Sequence, residues 1–151
     1  MPHYTLALEV PRPLAELFAF FTRPTNLVQL APADLQLQLL SAPDVLVRGA
    51  RLVWQGRRWG IAQKIIQEVA RFEDEKLIVV EQKQGPFARW VHAHHFTATE
   101  AGTRIEEKID FEPPGGLLGR LISADTIRKD LDKLFAYRSA RLKERFAEPR
   151  P

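Results

Sequence analysis

The chain has 151 residues, 45% of them hydrophobic and 27% charged, and a formal net charge of +3. That length is enough for one sizeable core and short for two, so we expect a single domain over residues 1–151. The absence of cysteine excludes disulfides, cysteine-based metal sites and cysteine nucleophiles. Basic and acidic residues are interleaved, so no nucleic-acid partner is expected. Without a signal-peptide pattern or an apolar run of about 18 residues, we expect a cytoplasmic protein with no membrane span.

Strand and helix patterns alternate in the first half of the chain. Tyr4–Val10 alternates apolar and polar residues, which predicts a first strand. Apolar residues then recur at helical spacing from Leu14 until Pro24, and a second short helix is expected over Asn26–Leu30. The elements predicted next are strand two at 35–39, a turn at 41–44, strand three at 51–55, a turn at 56–58, and strand four at 59–72 with a bulge at Gly60 or around Ile65 and Ile66.

The second half is predicted to contain three more strands and a long helix. Strand five covers 77–83, and a run ending at Phe96 forms a hairpin with a run over 103–111, so one antiparallel sheet is expected. After Gly116 the chain is expected to be helical to near Ala147. The register of this helix places Arg138 on or beside its apolar stripe, with the stem packed and the charged head in water. The stripe itself contains Ile127, Leu131, Leu134 or Phe135, Leu142 and Phe146.

The two strands of this hairpin carry the sharpest candidate site. Because side chains alternate along a strand, His92 and His94 share a face with Trp90 and Phe96. In the second strand, Glu107 shares a face that is otherwise mostly apolar, whereas the opposite face is fully charged. If the two apolar faces coincide, Glu107 lies across from His92 or His94.

Three interpretations of His92, His94 and Glu107 stay open. The histidines satisfy a buried carboxylate in a structural network; or the three residues anchor the polar end of a ligand; or a histidine is a general acid or base that Glu107 orients. The His-x-His pattern is also found in cupin metal sites, where a Glu follows at short range, but Ala98 and Thr99 stand at those positions. The cupin match therefore fails at its third ligand. No metal or other cofactor is predicted, although strand geometry leaves open a metal site that recruits Glu107.

The whole pattern resembles a known superfamily. Its parts are the order of elements (strand, two short helices, six strands, long terminal helix) and the residues Gly85-Pro86-Phe87, Trp90, His92, His94, Phe96, Thr103 and the Pro113-x-Gly115 corner. This set resembles the SRPBCC superfamily of START, Bet v1-like and polyketide cyclase/dehydrase proteins, and most of all its small bacterial members labelled cell-division-inhibitor-like. The resemblance implies an α+β helix-grip fold. In that fold a curved antiparallel sheet of six to seven strands wraps around a long C-terminal helix, with two short helices after strand one.

The resemblance also implies a ligand. Superfamily members mostly bind lipids, polyketides, sterols or other apolar small molecules in a cavity between sheet and helix, and some catalyse cyclisation, dehydration or hydrolysis there. We therefore expect an apolar or lipid-like partner. Large apolar residues either line such a cavity or fill the core. The candidates for lining it are Trp54, Trp59, Trp90 and Phe96, with Phe18, Phe21 and Leu30 on the short helices at the cavity entrance.

Three functions are consistent with these features. The first is a non-enzymatic binding module whose polar end is formed by His92, His94 and Glu107. The second is an enzyme of the cyclase/dehydratase or hydrolase kind, in which His92 or His94 is the general acid or base and must reach an open cavity. The third is a protein-interaction module, which predicts a collapsed cavity and a large exposed apolar patch. The residues leave the oligomeric state open.

Overall fold

A single antiparallel sheet of seven strands forms the centre of the computed structural model, which describes residues 2–147. The strands stand in the order β1-β7-β6-β5-β4-β3-β2, so each strand from β2 to β7 pairs with its neighbour in sequence and β1 pairs with β7. The predicted α+β architecture, with an antiparallel sheet of six to seven strands, is confirmed. The strands are β1 (His3–Val10), β2 (Gln38–Ser41), β3 (Arg51–Arg58), β4 (Ile61–Glu73), β5 (Leu77–Gln84), β6 (Arg89–Thr99) and β7 (Gly102–Glu112).

Four helices accompany the sheet within residues 2–147: α1 (Leu14–Phe21), α2 (Pro24–Val28), α3 (Gly116–Leu121) and α4 (Ala124–Arg145). The first two are the short helices predicted after strand one, although α2 covers Pro24–Val28 instead of the predicted Asn26–Leu30. At 1.5 Å per residue, the 22 residues of α4 span about 33 Å, which is enough to cross the sheet. No helix in this part of the chain is long and apolar enough to cross a membrane.

The turn predicted at 56–58 is wrong, because β3 continues to Arg58. The reversal occurs instead at Trp59 and Gly60, whose φ angles of 52° and 75° are both positive. Two positive φ angles in a two-residue loop fit the twist of a hairpin. Gly56 has a different role, because a Cβ at that position would lie 3.1 Å from the side chain of Leu37.

Two further predicted boundaries need correction. Residues 33–35 form a short 3-10 turn and β2 begins only at Gln38, because Gln36 adopts a left-handed conformation with φ 45°. The predicted single terminal helix is interrupted between Leu121 and Ala124. Ser123 there is extended, and its hydroxyl accepts a hydrogen bond from the Thr126 backbone N–H at 3.2 Å, so α4 has its own N-cap.

The pairing of β4 with β5 is irregular near Ile66, but the extra residue there is Lys83 of β5, and the extra residue of β4 itself is Ala70 rather than a residue around Ile65 and Ile66. The pairing of β4 with β5 shifts register between Ile66 and Gln67 and again between Val69 and Arg71, whereas its pairing with β3 is regular. An extra residue in one strand increases the local bend and twist. The shifts therefore bend the sheet on the β5 side of β4, and the sheet is curved.

The core is divided along α4. The first half of the helix packs Ile127, Leu131 and Phe135 against the sheet, where Ile109 and Phe111 of β7 are completely buried. The second half packs Leu142 into a larger cluster with α1, and Phe146, which follows the helix, joins that cluster. Burial of this kind stabilises the fold by about 25 cal/mol for each Å² of apolar surface removed from water. Between the two clusters, α4 faces a part of the sheet that carries polar side chains.

Candidate functional site

One carboxylate oxygen, Oε1 of Glu107, is the centre of the candidate site. Nε2 of His92 lies 3.1 Å from it, Nδ1 of His94 lies 2.9 Å from it, and NH2 of Arg138 lies 2.8 Å from it. The His92 contact has the geometry of a hydrogen bond. The other two groups are at ion-pair distance, but their N–H directions are poorly aligned with the oxygen. Glu107 is therefore a buried carboxylate held from three directions.

The β6–β7 hairpin positions two of these three groups. The alternation of the two strands predicted Glu107 across from His92 or His94. In the structure His94 stands directly opposite Glu107, and His92 stands opposite Ile109. The imidazole rings of His92 and His94 stack at a centroid distance of 3.9 Å with an interplanar angle of 22°. Because the side-chain period of a strand is two, this face is fixed by the register of the hairpin.

The third group, Arg138, comes from α4 and was not predicted as a site residue. The expectation that its charged head lies in water is wrong, because the side chain is only 13% exposed and its guanidinium touches Glu107. Its guanidinium carbon lies 5.3 Å from the ring centroid of Phe21 and 5.5 Å from that of Phe135. Two sequence signals pointed to it: Arg138 falls on the buried stripe of the helix, and a buried Glu107 needs a cation.

The protonation states of Glu107, His92 and His94 follow from their burial and from their closeness to one another and to Arg138. Burial alone would raise the pKa of the Glu107 carboxyl, but Arg138, His92 and His94 together outweigh burial and hold that pKa well below its usual value. Burial lowers the pKa of His92, although Glu107 partly opposes the shift. Burial, together with the neighbouring His92, lowers the pKa of His94 to about 3. Near neutral pH the site therefore holds an ionised carboxylate, a guanidinium cation and two neutral imidazoles.

The ionised carboxylate fixes the tautomers of the two histidines. Because a carboxylate only accepts hydrogen bonds, each neutral imidazole carries its proton on the nitrogen that faces Glu107. Nδ1 of His92 and Nε2 of His94 are then lone-pair acceptors, and neither has a hydrogen-bond partner among residues 2–147. Nε of Arg138 is a buried donor that also has no partner in this part of the chain. The cluster thus offers two acceptors and at least one donor to a bound molecule.

A metal ion fits this set poorly. The possible ligand atoms of His92, His94 and Glu107 lie within 4.8 Å of one another, which is close enough to surround an ion. However, Arg138 already supplies the positive charge at Oε1. A divalent cation at that oxygen would be repelled by the guanidinium at short range and in a poorly solvated interior. The residues are better suited to a guanidinium–carboxylate pair than to a metal.

A cavity of about 190 Å³ lies between the sheet and α4. Its volume is below the range of about 300–1,000 Å³ that is common for small-molecule sites. Most of its wall is apolar, and His92, His94 and Arg138 form a polar section of that wall. Other residues around it include Leu27, Leu30, Leu46, Leu52, Trp54, Arg58, Ile65, Gln67, Val80, Gln82, Phe87, Trp90, Ile109, Leu134 and Phe135.

Three of the aromatic and aliphatic candidates lie at this cavity. Trp54 and Trp90 line it from β3 and β6, and Leu30 lines it from the segment after α2. The indole N–H of Trp54 donates to Oε1 of Gln67 at 2.9 Å, so its polar atom is already satisfied. Trp90 stacks on Phe87 with ring centroids 4.5 Å apart. These side chains give the cavity an aromatic wall.

The remaining candidates lie elsewhere. Phe18, Phe21 and Phe96 pack edge to face in the core, with centroid distances of 5.0 Å for Phe18 and Phe96 and 5.4 Å for Phe21 and Phe96. Trp59 stands at the turn between β3 and β4, and its indole N–H donates to Asp130 of α4 at 3.1 Å. Trp59 therefore attaches the hairpin to the helix beside the cavity.

Comparisons with known proteins agree on the fold. A search of the curated proteins finds no significant match. Among solved structures, a Thermus thermophilus protein, TTHA0849, is 18% identical with a TM-score of 0.66, over 95% of this chain and 99% of that one. Protein CV1439 of Chromobacterium violaceum is 11% identical with a TM-score of 0.73, over 98% and 99% of the two chains. The AHSA1-like protein of Aeromonas hydrophila is 10% identical with a TM-score of 0.70, over 99% of each.

The family itself is shown by sequence. A family model described as "Polyketide cyclase / dehydrase and lipid transport" matches residues 1–147, which is nearly the whole chain. The model and the solved structures agree with the superfamily resemblance seen in the sequence and with its helix-grip architecture. With its seven-stranded sheet, its long terminal helix and this match, the chain belongs to the polyketide cyclase/dehydrase and lipid transport family of the SRPBCC superfamily.

Proposed function

We propose that this protein binds an apolar or lipid-like small molecule in the cavity between the sheet and α4. The observation that carries the proposal is the composition of that cavity: a mostly apolar and aromatic wall with a compact polar section formed by His92, His94 and Arg138. Such a wall gains free energy by excluding water from an apolar ligand, and a few placed polar groups orient the ligand. The family, whose description includes lipid transport, agrees with this class of ligand.

The polar section of the cavity wall determines which chemical groups the ligand needs at the end that faces it. His92 and His94 offer acceptor nitrogens, and Nε of Arg138 offers a donor without a partner among residues 2–147. A hydroxyl group can donate to an imidazole and accept from the guanidinium, so it suits this end well. Glu107 holds the three residues in place behind the wall. An alkane without polar atoms would leave these groups unsatisfied at a cost.

Native mass spectrometry of the protein purified from its own host tests this proposal. We expect a non-covalent adduct at one molecule per chain, and release after denaturation should identify an apolar compound. In the variant Leu134→Trp, the indole would occupy the cavity from α4, so the adduct should disappear. Leu117 on α3 is 78% exposed, so Leu117→Trp is the matched control and should keep the adduct.

Two results would count against binding in this cavity. One is a host-purified protein without any adduct. The other is an adduct that Leu134→Trp retains as well as Leu117→Trp does, because the compound would then sit elsewhere. Circular dichroism of both variants establishes that the added indole has not unfolded the chain.

A second candidate function, acid–base catalysis in the same cavity, is favoured by the free acceptor nitrogen of His92. A general base needs an available lone pair within reach of the substrate, and His92 lies at the cavity wall. The pKa of His94, lowered to about 3, gives that side chain little affinity for a proton near neutral pH. Incubation of the compound released from the protein with wild type and with His92→Gln tests this function. Turnover by wild type alone would support it, and an unchanged compound would oppose it.

A further inference from the structure

A second arginine lies at the cavity, away from Glu107. Arg58 is the last residue of β3 and immediately precedes the turn at Trp59 and Gly60. Its guanidinium carbon lies 5.4 Å from the ring centroid of Phe87 and 5.8 Å from that of Trp59. It is partly buried and forms part of the cavity wall. Two aromatic rings therefore flank its charged head at the cavity wall.

Arg58 differs from Arg138 in having no counter-ion in contact. No acidic side chain among residues 2–147 lies within 4.0 Å of its guanidinium, whereas Arg138 is paired with Glu107. Asp130 and Asp34 act on it from longer range, and burial still lowers the pKa of Arg58. Asp130 already accepts a hydrogen bond from the indole of Trp59. Because an arginine stays protonated in proteins, this head is a partly desolvated positive charge.

The position of Arg58 suits a charge on a bound molecule. Phe87 and Trp90 stack between Arg58 and the stacked histidines, so an apolar stretch of wall separates the two polar regions. A guanidinium with free N–H groups binds carboxylate and phosphate oxygens in pairs, and the low local dielectric strengthens such contacts. In the absence of a ligand, cation–π contacts with Trp59 and Phe87 stabilise the guanidinium in this place.

We propose that Arg58 binds the anionic head group of the cavity's ligand, which is therefore an amphipathic acid rather than a neutral apolar molecule. This inference rests on the binding function proposed above and names the ligand's chemical class. The opposite end of the molecule, near His92 and His94, carries a hydroxyl group. The head group is a carboxylate or a phosphate, both of which fit a guanidinium.

Three probes with the same hydroxylated tail test the inference: 8-hydroxyoctanoate, 8-hydroxyoctyl phosphate and neutral 1,8-octanediol. Dissociation constants come from the fluorescence of the cavity tryptophans or from calorimetry. We expect wild type to bind at least one anionic probe about tenfold or more tightly than the diol, which is the range of a hydrogen bond to a charged group. Arg58→Met should abolish this preference and keep the affinity for the diol.

Arg51→Met is the matched control, because Arg51 lies on the same strand, is exposed, and pairs with Glu68 on the surface. Like wild type, Arg51→Met should bind the anionic probes more tightly than 1,8-octanediol, at low and at physiological salt. A preference for the carboxylate alone or for the phosphate alone supports the inference and identifies the head group. If the diol binds as tightly as both anions, or if Arg58→Met keeps the preference, Arg58 is not the anchor while the proposed binding function stands. If none of the three probes binds, both proposals fail.

Discussion

At the scale of single residues, Glu107 is the group whose loss should cost most. Glu107→Gln removes the negative charge that faces Arg138 and leaves a buried guanidinium without a counter-ion. Breaking a buried ion pair from one side costs about 3 to 5 kcal/mol, because the remaining charge stays desolvated. We expect the free energy of unfolding, measured by urea denaturation at pH 7, to fall by about that amount.

The neighbouring Glu106 provides the control for this substitution. Its side chain is 40% exposed and lies 3.6 Å from Arg104, so Glu106→Gln should change stability by no more than about 0.5 kcal/mol. The double variant Glu107→Gln with Arg138→Met removes both buried charges and should be more stable than Glu107→Gln alone. A Glu107→Gln protein with wild-type stability would show that the pair is not buried in solution.

Because His92 and His94 are buried and neutral, we expect the protein to lose stability in acid. Both have pKa values below the ordinary 6.5 in the folded chain, so the unfolded chain binds protons that the folded chain does not. Stability is therefore full above about pH 6.5 and decreases as the pH falls from there towards about 3. The lowered pKa of Glu107 acts in the same direction below its ordinary value of 4.5.

Urea midpoints at pH 8, 6, 5 and 4 measure this dependence. In His94→Gln the decline between pH 6.5 and 4 should be shallower, since one proton acceptor of the unfolded chain is gone. His95 lies on the opposite face of β6, and His95→Gln is the comparison that controls for a changed surface. Equal slopes for wild type and His94→Gln would contradict a buried neutral His94.

At the scale of elements, the start of α4 depends on one hydroxyl. Ser123 accepts a hydrogen bond from the backbone N–H of Thr126, and this cap separates α4 from α3. Ser123→Ala should lower the free energy of unfolding by about 1 kcal/mol, as is usual for a lost N-cap. In contrast, Ser139→Ala in the middle of α4 should be neutral or slightly stabilising, because alanine has the higher helix propensity. Equal effects at the two serines would argue against a capping role.

The β6–β7 hairpin shows how much of the site the sequence can predict. Alternation placed His92, His94 and Glu107 on facing positions, and the structure has His94 directly opposite Glu107. This succeeded because a hairpin is local: a short turn and a buried face together fix the register. The same local reasoning failed at residues 56–58, where a glycine in a strand was interpreted as a turn.

Arg138 shows where sequence reasoning ends. Periodicity places this residue on the inner face of a helix, but the group it meets depends on where α4 crosses the sheet. That position is set by packing between residues far apart in the chain, such as Phe135 with Tyr4 at a ring-centroid distance of 5.5 Å. Long basic side chains usually extend to water, so the general rule also favoured the wrong outcome. The cavity itself is a result of such packing, and periodicity alone does not define its volume.

At the scale of the whole molecule, a bound ligand should stabilise the fold. A molecule that binds only the folded chain adds about 2.7 kcal/mol at one hundred times its dissociation constant. For a chain of this length, that corresponds to a rise in Tm of about 5 to 10 °C. We expect 1,8-octanediol at that concentration to give such a shift in differential scanning calorimetry. Ethane-1,2-diol at the same concentration is the control and should give none.

Two other results would show that the effect does not come from binding in the cavity. If ethane-1,2-diol raised Tm as much as 1,8-octanediol, the effect would come from the solvent rather than from the cavity. If Leu134→Trp, with its cavity filled, showed the full shift, the probe would bind at another place. A shift that wild type and Leu117→Trp share and that Leu134→Trp lacks is the expected pattern.

The pairing of Glu107 with Arg138 also has an evolutionary consequence. The two residues come from β7 and α4, and each makes the other tolerable in a dry interior. A substitution that neutralises only one of them leaves the other as an unpaired buried charge, and the protein then loses most of the stability that such a charge costs. Among relatives of this chain, positions 107 and 138 should therefore covary, with a charged pair or two neutral residues far more frequent than one charge alone. The same test extends to positions 92 and 94, which should follow the identity of position 107 less strictly because neutral imidazoles need no counter-ion.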